Sequence, residues 1–145
     1  MRRIEVSVVI NRPIEEVFAY VTNPENDTQW QSSVLESGLV SERPLGVGAK
    51  TWEVRKFMGQ RLESIAEVSE YEPNAKIAYK STSGPIQYEA WYTFEPADAG
   101  TKLTMVGEAD TGGLFKLAEG LVVRQFEKET QTALAALKDI LEAQA

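Results

Sequence analysis

The stretch from Gly113 to Glu142 constrains this chain most, because it reads as one long helix. Val123, Phe126, Thr130, Ala133, Leu134, Leu137 and Leu141 recur at three- and four-residue steps, the period at which helical side chains share a face. Arg124, Glu127, Lys128, Gln131, Lys138 and Glu142 fall mostly on the other side. Leu114, Leu117 and Leu121 form a second stripe on roughly the opposite face, so the spacing predicts an interruption or bend near Gly120. At about 1.5 Å per residue, some thirty residues run roughly 45 Å, more than the width of a small domain. Such a helix needs a broad partner, and the upstream chain reads as sheet.

Arg3 to Ile10 alternates, with Ile4, Val6, Val8 and Ile10 on one face, as a half-buried strand requires. Asn11-Arg12-Pro13 then starts a helix with Glu15 and Glu16 at its positive end and Ile14, Val17, Phe18 and Val21 as its buried stripe. Asn23-Pro24-Glu25 repeats the start signal, which predicts a second short helix to about Trp30. Ser33 to Val40 is weakly extended, and Glu42 to Gly48 is a loop. Ala49 to Phe57 and Arg61 to Tyr71 read as a hairpin around Met58-Gly59-Gln60. Its alternation sets Glu53, Arg55, Glu63 and Glu67 toward solvent and Trp52, Val54, Leu62, Ser64, Ala66 and Val68 inside. After a turn at Glu72-Pro73-Asn74 come Ile77, Tyr79 and Ser81. After Gly84-Pro85 come Ile86, Tyr88, Ala90, Tyr92 and Phe94, with Trp91 the exception on the polar side. Pro96 to Gly100 is a further turn, and Leu103, Met105, Gly107 and Ala109 alternate on the last strand.

The order is a strand, two short helices, six strands in hairpin succession and a long helix. An antiparallel sheet of this kind has one face to bury, and only the terminal helix is large enough to cover it. The expected class is therefore α+β, a curved seven-stranded antiparallel sheet around a long C-terminal helix, as a single domain over residues 1–145.

Composition removes several classes of function. There is no cysteine and no histidine, which excludes disulfides, thiolate nucleophiles, imidazole bases and the zinc sites that depend on them. No motif requires a metal or an organic cofactor. A formal net charge of −7 argues against a phosphate-binding surface, so nucleic acid is not an expected partner. No apolar run approaches the roughly eighteen residues of a membrane span, and Met1-Arg2-Arg3 leads into alternation rather than a signal-peptide block. A cytoplasmic protein, monomeric or homodimeric, is the expectation.

Several stretches, taken in order, resemble a known family. They are Ile10-Asn11-Arg12-Pro13-Ile14-Glu15-Glu16-Val17-Phe18, Asn23-Pro24-Glu25 with Trp30, Gly46 to Gly48, and Val68-Ser69-Glu70-Tyr71-Glu72-Pro73. Further along come Tyr92-Thr93-Phe94-Glu95-Pro96, Gly100-Thr101-Lys102-Leu103-Thr104 and Leu137-Lys138-Asp139-Ile140-Leu141-Glu142. Their order and spacing resemble the polyketide cyclase/dehydrase branch of the SRPBCC, or START-like, superfamily over nearly the whole chain. The resemblance implies a helix-grip fold with an elongated hydrophobic cavity between sheet and C-terminal helix. These are scaffold motifs, so they carry no catalytic residue across, and the fold hosts cyclases, dehydratases, lipid carriers and receptors alike.

The candidate ligand-binding residues are Trp52, Ser64, Ala66, Tyr79, Tyr88, Tyr92, Phe94 and Met105 on the sheet, with Phe126 and Thr130 on the helix. Small residues beside large rings either leave a pocket or interlock into a solid core. Three inward tyrosines need hydrogen-bond partners, and a ligand oxygen is one. A second set, Arg124, Gln125, Glu129 and Thr130 with Lys56 opposite, reads as an inward polar group or as the solvated side of the helix; only Thr130 falls on the buried stripe. Binding of a small hydrophobic or aromatic molecule, as a carrier or as a cyclase or dehydratase acting by positioning, is the expected function. The alternative is a protein-interaction module with an incidental cavity.

Overall fold

The computed structural model describes residues 2–40, 45–98, 100–110 and 119–144. Arg2–Ile10 forms β1 and Ile14–Val21 forms α1; a single 3-10 turn at Pro24–Asn26 then leads into α2, Asp27–Trp30. Six strands follow: β2 (Val34–Leu39), β3 (Lys50–Phe57), β4 (Gln60–Glu72), β5 (Lys76–Ser83), β6 (Gln87–Ala97) and β7 (Gly100–Asp110), and then α3, Glu119–Glu142. All seven strands join one curled antiparallel sheet in the order β1-β7-β6-β5-β4-β3-β2. Register shifts in β4 between Ile65 and Ala66 and between Val68 and Glu70 are bulges that add bend and twist to the longest strand.

Local chemistry accounts for the turns and starts. Met58 and Gly59 both have positive φ, 50° and 81°, in a two-residue link between the paired Phe57 and Gln60. That is the primed turn whose twist matches the strands. At α1, Pro13 rather than a side chain stands at the cap position, and Arg12 instead grips Glu16 at 2.6 Å. Asn23 does cap the following 3-10 turn, accepting from the Glu25 N–H at 3.1 Å. β6 runs through Pro96 to pair Ala97 with Gly100, so the turn is tighter than the sequence suggests.

The solid core lies under the C-terminal half of α3. Leu134, Leu137 and Leu141 pack there with Ile10, Val17, Phe18, Phe94 and Leu103, all nearly inaccessible. Burying each such side chain contributes roughly 1.5–3 kcal/mol before the opposing entropy is subtracted. The end of the helix is fixed by polar contacts. Lys138 Nζ donates to the Val9 carbonyl at 2.8 Å and to Glu142 Oε2 at 2.6 Å, and the Asn11 N–H donates to the same carboxylate at 2.8 Å. These donors hold the Glu142 carboxyl below its usual range. The expected upstream part of the helix, with Leu114 and Leu117, lies outside the described residues. Leu121 is 59% exposed and Val122 is buried in its place.

The β6–β7 turn presses on the β1–α1 turn, where Thr101 Oγ1 donates to the Arg12 carbonyl at 2.9 Å. A Cβ at Gly100 would lie 2.4 Å from the Ile10 carbonyl oxygen and 2.6 Å from the Arg12 nitrogen, both backbone atoms. Gly100→Ala should therefore cost about 1–3 kcal/mol in urea unfolding, the usual range for overpacking, and an unchanged midpoint would refute that close approach.

Candidate functional site

The N-terminal half of α3 does not pack solidly on the sheet. Beneath Val122, Val123, Phe126 and Thr130 the strands present small residues, Ser64 and Ala66 on β4, Ala90 on β6 and Gly107 on β7, and a cavity of about 170 Å³ remains. A single buried water needs roughly 10–15 Å³ of such space, so there is room for a molecule of several carbons. Phe126 reaches down to within 3.5 Å of where a Gly107 Cβ would sit, and meets Phe57 edge-on at 6.3 Å. With Leu62, Ile86 and Val122 these rings make one apolar end.

The opposite wall is polar. Glu53 and Arg55 of β3 line the cavity, and Trp52 does not. The register explains this: Thr51, Glu53 and Arg55 pair with Ala66, Ser64 and Leu62 and share their inner face, while Trp52 pairs with Ile65 and faces outward. The expected inward facing of Trp52 and Val54 is thus corrected by one residue. Trp52 covers Gly38 of β2, where any Cβ would stand 2.9 Å from its indole nitrogen. Charged side chains are tolerated inside because they satisfy one another. Arg55 Nε donates to Glu53 Oε2 at 2.7 Å, Nη1 to Ser33 Oγ at 2.9 Å and Nη2 to Gln31 Oε1 at 2.9 Å. This clamp ties β3 to the segment between α2 and β2.

Asp27, at the start of α2, faces the same space, and no side-chain hydrogen bond reaches its carboxyl among the described residues. Burial, and then the charge of Glu53, push its pKa well above the ordinary 3.8, with Arg55 only partly opposing them. Burial works against the Arg55 charge, but Glu53 outweighs it by charge and hydrogen bond and holds the guanidinium above its ordinary value. Tyr79, Tyr88 and Tyr92 line the floor, with Tyr79 and Tyr92 edge-to-face at 6.1 Å. Burial raises all three phenols first of all; the carboxyls add to it, Asp27 next for Tyr79 and Tyr92 and Glu53 for Tyr88. They stay neutral and can donate.

Of the candidate residues, Ser64, Ala66, Tyr79, Tyr88, Tyr92 and Met105 line the cavity with Phe126 and Thr130. Trp52 is outside it, and Phe94 belongs to the solid core, packed edge-on against Phe18 at 5.0 Å. Within the second set Arg124 and Lys56 are exposed, whereas Glu129 lines the cavity with Thr130. Gln125 Nε2 donates to Glu129 Oε2 at 3.0 Å, which leaves Oε1 buried and unpartnered. The sequence reading missed Asp27, Glu53 and Arg55. The signal was present only as Trp52 and Glu53 in adjacent positions, which leaves either phase of the strand open. Trp91, the other exception, sits on the outer face, its indole N–H donating to Glu70 at 3.1 Å.

With this geometry in hand, the family model described as polyketide cyclase / dehydrase and lipid transport matches residues 1–142. The chain belongs to that family. This family member also resembles solved structures of the same SRPBCC fold. TTHA0849 from Thermus thermophilus superposes with a TM-score of 0.86 at 20% identity, covering 99% of this chain and 100% of that one. DR_A0006 from Deinococcus radiodurans gives 0.74 at 15% identity, with 99% and 100% covered. NE0264 from Nitrosomonas europaea gives 0.73 at 18% identity, with 98% and 95% covered. No curated protein sequence matches the chain. No helix among the described residues is long and apolar enough to cross a membrane.

The clamp yields two expectations. Arg55→Met leaves Glu53 enclosed without its cation and should cost about 3 kcal/mol in urea unfolding, most of it recovered when Glu53→Gln is added; equal losses in the single and double variants would refute the pairing. For Asp27 the folded carboxyl keeps its proton to higher pH than the unfolded one. Stability is therefore fully favoured below 3.8 and falls as pH rises through the window above it. Asp27→Asn should accordingly raise the melting temperature at pH 7, with the gain vanishing as pH approaches 4. A gain that persists in acid would contradict this sign.

Proposed function

We propose that this polyketide cyclase/dehydrase and lipid-transport family member encloses one small hydrophobic or aromatic, partly oxygenated molecule between α3 and the sheet. The observation that carries the reading is an apolar cavity of about 170 Å³ with convergent tyrosines on its floor. Ligand sites typically combine an apolar lining with a few placed polar groups, which is the composition seen here. A module whose cavity was incidental has no reason to combine Ser64, Ala66, Ala90 and Gly107 under one helix, where larger side chains would gain burial. The phenols, raised by burial, are poor proton donors in the transition-state sense and good hydrogen-bond donors to a carbonyl. The part these phenols take in any cyclase or dehydratase turnover is therefore to polarise the oxygen of a confined, flexible ketone-bearing chain rather than to give up a proton.

The test has two arms. Native mass spectrometry of protein purified from its own host should show a mass excess that extraction releases as a small organic molecule. Isothermal titration with naphthalene as a generic probe should show saturable binding, weakened at least tenfold in Ala66→Phe, which fills the cavity. Equal binding by the parent and Ala66→Phe would place the probe elsewhere and defeat the proposal.

A further inference from the structure

Among the described residues two buried side-chain polar atoms lack a hydrogen-bond partner, Trp30 Nε1 and Glu129 Oε1. Both residues line the same cavity, one from α2 and one from α3. Buried polar groups are nearly always satisfied, so an unsatisfied one in a cavity wall calls for a partner from within the cavity, a guest or the water that the guest displaces. The two orphans have opposite needs. The indole N–H requires an acceptor, and the carboxyl oxygen requires a donor.

We infer that the cavity is selective for a neutral, hydroxyl-bearing apolar molecule, an alcohol or phenol, received by Trp30 and Glu129. This deepens the proposed function and rests on it. A hydroxyl is the smallest oxygen group that both donates and accepts, so one chemistry serves both atoms. A carboxylate serves only the indole and meets the carboxyls of Asp27, Glu53 and Glu129. Arg55 is the one cation among the described lining residues, and its charge is already matched by Glu53 at 2.7 Å, with Ser33 and Gln31 taking two further donors. An ammonium serves only Glu129 and leaves the indole unmet. A free acidic lipid is therefore disfavoured by the same wall that accepts an alcohol, and an amine meets one of the two orphans where an alcohol meets both.

A matched series separates this from the parent reading: naphthalene, 2-naphthol, 2-naphthoate and 2-naphthylmethylammonium, titrated at pH 7. The parent protein should bind 2-naphthol on the order of tenfold more tightly than naphthalene, as one or two well-made hydrogen bonds provide, and the two ions more weakly than the naphthol. Glu129→Met should lose most of the naphthol advantage, read as the ratio of naphthol to naphthalene affinity within the variant. In the ¹H–¹⁵N spectrum, with indoles assigned through Trp52→Phe and Trp91→Phe, the Trp30 N–H should shift downfield with 2-naphthol and much less with naphthalene. Naphthalene bound as tightly as the naphthol, an ion bound more tightly than it, or a naphthol advantage that survives Glu129→Met overturns the selectivity while cavity binding stands. Absence of binding by every probe overturns both.

Discussion

A curled sheet with one apolar face has to bury that face, and here α3 lies along it with α1 and α2 beside it. α3 does so unevenly. Its C-terminal half carries Ala133, Leu134, Leu137 and Leu141 into a close-packed cluster with Ile10, Phe18, Phe94 and Leu103. Its N-terminal half stands over Ser64, Ala66, Ala90 and Gly107, which are too short to meet it. The solid half supplies the stability that lets the hollow half exist, because a void forfeits both transfer free energy and dispersion contacts. Lys138 and Glu142 reinforce this division by fastening the far end of α3 to the end of β1.

The second constraint is that the hollow half contains charge. Glu53 and Arg55 lie on the inner face of β3, and an isolated ion there would be untenable. Their bidentate geometry, closed by Ser33 and Gln31, turns two ions into a structural strut between β3 and the α2–β2 link. Replacing such a strut with apolar residues need not reduce stability, so stability alone is a weak reason for it. Its position beside Asp27, Tyr88 and Tyr92 gives it another effect, which is to set the field felt by those groups.

The architecture was legible in the sequence because it rests on periodicity. The three- and four-residue spacing in α3 and the alternation of β1, β5, β6 and β7 each record which side is buried, and the Asn-Pro-Glu start signal and the Met58-Gly59 turn lie where those residues point. The cavity floor followed from the same alternation, since Tyr79, Tyr88 and Tyr92 sit in phase with Ile77, Ala90 and Phe94. β3 was not legible. Its residues Thr51 to Phe57 offer apolar groups in both phases, Trp52 and Val54 against Phe57, and charge normally marks the outside. The register with β4, a long-range property, decides the phase, and it puts the ion pair within. Phe94 was in the correct phase but too far along its strand, where α1 rather than the cavity lies above it.

The misread strand is also what gives the site its character. Had Trp52 and Val54 faced inward, the β3 wall of the cavity would have been apolar and closed by an indole. Turning β3 over brings one cation with its own counter-ion into the wall and leaves Asp27 and Glu129 facing inward from the helices. On the proposed reading, selectivity comes from desolvation: an ion entering must give up water to a wall whose guanidinium is already paired with Glu53, whereas a neutral guest gives up little. On that reading, the phase of one strand is enough to change what kind of molecule the interior admits.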